Sequence, residues 1–137
     1  MYCTIDDIAV DMSLPTLISM TNDDKTGVVN AEVVNKYIDE EESYINSYLT
    51  EQYTLPITSP VGLNILKQIE VALVVCDLYR RGLGMNYPDT LEMRRTQAIN
   101  DLVKIQKGQI LLQAKTIYER KYITSQKKRI INPDDIY

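Results

Sequence analysis

The sequence predicts an all-α domain, a bundle of four or five helices followed by an extended or hairpin-like C-terminal arm. Three observations carry that expectation. Apolar residues recur at three- and four-residue steps over long stretches, which puts them on one side of a helix. Capping residues and prolines fall where those stretches begin, and glycines where they end. From Gln113 onward the periodicity fades, leaving β-branched residues and tyrosines among Lys, Arg, Gln, Thr and Ser.

The first helix is expected after Thr4, whose hydroxyl suits a cap and whose successors Asp6 and Asp7 suit the positive end of a helix reaching about Met12. Ser13 caps a second short helix, with Pro15 in its first turn and Leu17 and Ile18 on its apolar side. Thr21-Asn22-Asp23-Asp24-Lys25-Thr26-Gly27 is a run of turn formers. Asn30 then caps a third helix over about residues 31–50, striped by Val34, Tyr37, Ile38, Ile45, Tyr48 and Leu49. In its middle, Asp39, Glu40, Glu41 and Glu42 cannot all face one way, because helical neighbours stand about 100° apart, so most are solvated. Pro56 ends whatever precedes it: it lacks an amide hydrogen and disfavours helical geometry at Leu55.

Ser59-Pro60 opens a fourth helix that runs to about Gly82 through Leu63, Leu66, Ile69, Leu73, Cys76 and Leu78. Its middle is apolar on nearly every side, which places it at the centre of the bundle. A loop over residues 82–88 precedes a fifth helix starting near Pro88 or Asp89. Leu91, Ala98, Leu102 and Ile105 line one side of it, and Arg94, Arg95 and Lys104 can reach solvent. Gly108 supplies the left-handed exit. The helical domain thus spans residues 1–112 and the arm residues 113–137, with a turn near Ser125-Gln126-Lys127-Lys128 if the arm is a hairpin.

The composition fits one domain of 137 residues, 45% hydrophobic and 25% charged, well away from that of disordered chains. Phe and Trp are absent, so aromatic volume comes from ten tyrosines, whose hydroxyls favour the edges of cores and interfaces. Cys3 and Cys76 are far apart, in no metal-like or redox-like spacing, which points to a reducing compartment. Absence of histidine removes the commonest general base and metal ligand. With no glycine-rich phosphate loop or nucleophile motif either, no catalytic residue, metal or cofactor is expected. No signal peptide is apparent, and the apolar run over residues 71–76 is far short of a bilayer span, so a soluble protein made in the cytoplasm is expected. The net charge of −4 is uneven: nine Lys/Arg stand against sixteen Asp/Glu through Leu112, and six against three beyond it. An acidic body carries a basic arm.

Asn22-Asp23-Asp24-Lys25-Thr26-Gly27 resembles the front of a calcium-binding EF-hand loop, but the twelfth position is Val33 rather than the closing glutamate, so a structural turn is the better reading. The acids at 39–42 suit a solvated face or a docking surface. Asp77 is most simply paired along its own helix with Arg80 and Arg81, the livelier alternative being a buried partner on another helix. In the arm, Tyr118, Arg120, Lys121, Tyr122, Lys127, Lys128 and Arg129 are the candidate partner-binding residues, together with Lys115. Basic groups neutralise phosphates and tyrosines stack on bases, so a small DNA-binding or regulatory protein is the alternative function. The acidic whole favours a grip on an acidic protein neighbour, and a plain solvated tail is the third option.

Several segments in order resemble the Gp36-like protein family of Mu-like phages and prophages, related in architecture to head-tail connector subunits. They are Met1-Tyr2-Cys3-Thr4-Ile5-Asp6-Asp7-Ile8, the Asp-rich turn from Thr21 to Asn30, Ile45 with Tyr48-Leu49, Tyr53 and Leu55-Pro56, the stretch from Leu73 through Asp77-Leu78-Tyr79-Arg80-Arg81, and Gly108-Gln109-Ile110. The likeness covers about residues 1–112; Gln109 stands where the family has lysine. The resemblance implies a structural neck protein of the virion that joins the portal of a filled capsid to the tail, commonly as a homo-oligomeric ring. Its partners would be portal and tail-completion proteins, with DNA only as passing cargo and no membrane.

Overall fold

A computed structural model of the chain describes residues 1–23 and 25–114. Thr4 opens α1 (Ile5–Met12) through a reciprocal cap: the Asp7 amide donates to the Thr4 hydroxyl at 3.3 Å, and the Thr4 amide to the Asp7 carboxylate at 2.9 Å. Ser13 ends that helix and caps α2 (Leu14–Thr21), with Pro15 in the first turn. Asn30 Oδ1 accepts from the Val33 amide to open α3 (Ala31–Leu49). Ser59 Oγ does the same for Gly62 in α4 (Pro60–Leu83), which passes through a 3-10 turn at Gly84–Asn86 into α5 (Asp89–Gln106). Gly108, at φ +78°, is the left-handed exit. Every helix that the periodicity places is present, and α3 and α4 each end one residue from the expected limit. The described residues form an all-α bundle without strands; the expected shape of the arm beyond Ala114 lies outside the described residues.

Helix α4 is the axis against which all four others pack, and its residues 69–76 are buried without a break. Two apolar clusters surround it. One joins Ile45 and Leu49 of α3, Leu66 and Leu73 of α4 and Leu102 and Ile105 of α5, and takes in Tyr53, Ile57 and Leu112 from the connecting segments. The other joins Ile8 of α1, Leu17 of α2 and Val34 and Ile38 of α3 to Val74, Val75 and Leu78 of α4. Each fully buried Leu or Ile contributes about 1.5–3 kcal/mol relative to exposure, so the clusters hold the helices together. Most described tyrosines sit at the edges, as their hydroxyls require: the Tyr2 hydroxyl donates to Asn46 Oδ1, and Tyr44 and Tyr48 pair edge-to-face with hydroxyls 3.0 Å apart. Tyr53 is the exception, buried in the first cluster.

The start of α4 meets the segment that leads into the arm. A Cβ at Gly62 would stand 2.6 Å from the Leu112 carbonyl oxygen and 3.1 Å from Ile57 Cγ2, so only glycine lets these backbones approach. Gly62→Ala is therefore expected to lower stability by roughly 1–3 kcal/mol through overpacking, despite alanine's better helix propensity. Urea unfolding checks this; an unchanged or higher midpoint would show that the contact relaxes freely.

Candidate interaction groove

A groove of about 700 Å³ runs between α1, α4 and α5. Its floor is the face of α4 carrying Ile65, Ile69 and Ala72, and its walls are Val10 on α1 and Ala98 on α5. Two ion pairs fasten its rim. Arg94 on α5 grips Asp11 on α1 through both terminal nitrogens, each 2.8 Å from a carboxylate oxygen, and Lys67 on α4 stands 3.0 Å from Asp7. The Lys67 ammonium holds the Asp7 carboxyl below its ordinary range. Asp101 on the same rim accepts from Gln97 Nε2 at 3.0 Å and meets no cation among the described residues. Val10, on the rim, is 87% exposed, and Ile110, from the segment after α5, lines the groove too. The groove is thus an apolar trough whose edges carry two closed ion pairs and, in Asp101, one acid that meets no cation among the described residues.

Two buried acids lie apart from the groove's lining. Glu70 on α4 is fully buried and its Oε2 accepts from the backbone amides of Tyr2 at 2.8 Å and Cys3 at 2.6 Å, pinning the N-terminal segment to the central helix. Burial raises its carboxyl above the ordinary range, opposed by hydrogen bonds to Cys3 and Tyr2, and the Cys3 thiol is itself pushed up by burial and by Glu70. Glu41 on α3 is 7% exposed and shares Arg95 of α5 with Asp77 of α4: the same guanidinium nitrogen is 3.3 Å from Asp77 and 3.8 Å from Glu41. Glu41 Oε2 has no hydrogen-bond partner among the described residues. Burial and then the Asp77 carboxylate push Glu41 up to about 8.

The structure corrects two sequence expectations. Asp77 pairs with Arg95 on α5 rather than along its own helix; Arg80 reaches Glu92 instead, and Arg81 reaches Asp23. Arg95 turns inward, with its side chain only 20% exposed. Most of the four successive acids reach solvent as expected, Asp39 and Glu40 being exposed and Glu42 half-buried, while Glu41 is core. The EF-hand-like run serves as a turn, Asn22 Oδ1 accepting from the Gly27 amide at 3.2 Å; Asp24 is outside the described residues. Tyr118, Arg120, Lys121, Tyr122, Lys127, Lys128 and Arg129 also lie outside them. No described helix is long and apolar enough to cross a membrane.

A family model described as Bacteriophage Mu, Gp36 matches residues 2–128, reaching into the arm past residue 112, where the motif resemblance stopped. No curated protein matches the chain.

Proposed function

The chain belongs to the Bacteriophage Mu Gp36 family, and from that membership we propose that it is a structural head-tail connector, a neck subunit that joins the portal of a capsid to the tail as part of a ring. The single observation that carries the proposal is the family match across nearly the whole chain. The physical character of the molecule supports it. Sixteen acids against nine basic residues through Leu112 make a body that would repel DNA passing along a ring's channel. Subunits of a ring meet head to tail and need two unlike patches; the tyrosine-rich helix edges and the basic arm differ in that way. In this role the chain binds neighbours and transforms no molecule, with virion portal and tail-completion proteins as its partners.

Imaging of particles assembled with the purified portal and tail-completion proteins tests the proposal. A layer of this subunit between portal and tail is expected, lost when the subunit is omitted. Intact junctions formed without it would overturn the connector role.

A further inference from the structure

We propose that the groove between α1, α4 and α5 is the seat of the same chain's residues 117–123, so that the basic arm folds back on its own body. The inference does not rest on the neck reading. Its first support is where the described chain ends. Ile110 lines the groove, Leu112 is fully buried beside the start of α4, and Ala114 packs against the adjoining apolar cluster. Three further residues, at most about 10 Å of extended chain, lead from there to Ile117. The floor from Asn64 to Ala72 is about 12 Å long along α4, which a few extended residues cover.

The second support is chemical complementarity. Ile117-Tyr118 and Tyr122-Ile123 are apolar pairs flanking Glu119-Arg120-Lys121, a sequence that matches an apolar trough on whose rim Asp101 meets no cation among the described residues, Asp7 and Asp11 being already held by Lys67 and Arg94. Behind that rim stands a body with a balance of −7 through Leu112, against +3 from Gln113 onward, so the arm is drawn to its own body at longer range. The family match covers residues 117–123, so the segment belongs to the sequence that the family shares. A tethered segment also meets its own groove at an effective concentration near millimolar, which favours it over the arm of a second copy at micromolar protein.

Photo-crosslinking of the full-length chain with benzoylphenylalanine in place of Tyr118 tests this, using an equal mixture of isotopically heavy and light protein. Crosslinks within one chain to groove residues such as Val10, Ile65 or Ala98 are expected. Val10→Arg and Gln68→Trp, both at exposed groove positions, should each cut that yield about tenfold while leaving helical content unchanged. Crosslinks only between heavy and light chains would assign the groove to a second copy and overturn the proposal. Crosslinks elsewhere on the body, none at all, or a yield indifferent to both substitutions would overturn it as well. Each of these results leaves the junction imaging to decide the neck role separately.

Discussion

Replacing Glu70 with alanine is expected to destabilise the domain by roughly 2–5 kcal/mol, the cost of leaving two amide donors without their acceptor. Glu70 has no exposed surface, and its Oε2 is the acceptor for two consecutive amides, those of Tyr2 and Cys3. Alanine leaves both donors without a partner, the Cys3 amide in a buried setting, so the N-terminal segment gains by detaching into water. Cys3, 1% exposed, would be uncovered, and α1 would lose the chain that leads into its cap. Glu70→Gln separates the acceptor's contribution from the charge's. Glutamine keeps a carbonyl oxygen for the amides and discards the ionisable group, so it should retain most of the wild-type stability. The sign of its pH dependence follows from the direction of the shift. A carboxyl raised by burial supplies its full stability below its unfolded value and loses part of it as pH rises through the folded one, so the glutamine variant compares best with wild type at the alkaline end. Urea unfolding at pH 5 and pH 8 checks both variants, with thiol labelling of Cys3 as the local readout; an alanine variant within 1 kcal/mol of wild type would mean that water replaces the lost acceptor at no cost.

The helices were legible because their signals are local. Thr4, Ser13, Asn30 and Ser59 cap the helices expected of them, and Gly108 provides the expected exit, since cap and exit chemistry depends on a few adjacent residues. The stripe on α3 marked which of its faces turns inward, and the all-round apolar middle of α4 marked that helix as the central one. The buried acids and Arg95 were not read, because a charge is buried only when another part of the chain supplies its partner, and that pairing is long-range. A signal was nonetheless present: Glu41 stands three residues after Ile38 and four before Ile45, on the buried line Val34, Ile38, Ile45 and Leu49. Glu70 likewise lies between Leu66 and Leu73 in a helix apolar all round. An acid at a stripe position is the pattern that calls for a partner elsewhere. The groove had no sequence signal of its own. It arises where α1 and α5 flank α4 without closing over it, and only the tertiary arrangement brings Asp7, Asp11 and Asp101 to one rim.

Glu41→Gln is expected to stabilise the domain at alkaline pH, by roughly 2–4 kcal/mol at pH 8, and to do almost nothing near pH 4.5. One guanidinium serves two carboxylates at this three-helix junction, so ionising both leaves an uncompensated negative charge with little access to water. The folded protein avoids that by keeping a proton on Glu41, whose carboxyl is raised from 4.5 to about 8. Between those values the folded state holds a proton that the unfolded chain releases, so wild-type stability is complete below pH 4.5, falls as pH rises, and levels off above about 8. Glutamine is close in shape to the protonated acid and presents an amide donor toward Asp77, but it cannot ionise, so this source of pH dependence vanishes. Arg95 then serves Asp77 alone. The other ionisable groups are common to both proteins and largely cancel in their difference, including the raised carboxyl of Glu70. Urea unfolding of the two proteins at pH 4.5, 6 and 8 therefore isolates Glu41: the variant's advantage should grow steadily across the series. A constant difference would mean that Glu41 ionises in the folded protein at its ordinary value, with Arg95 compensating both acids, and that the junction carries no proton at neutral pH.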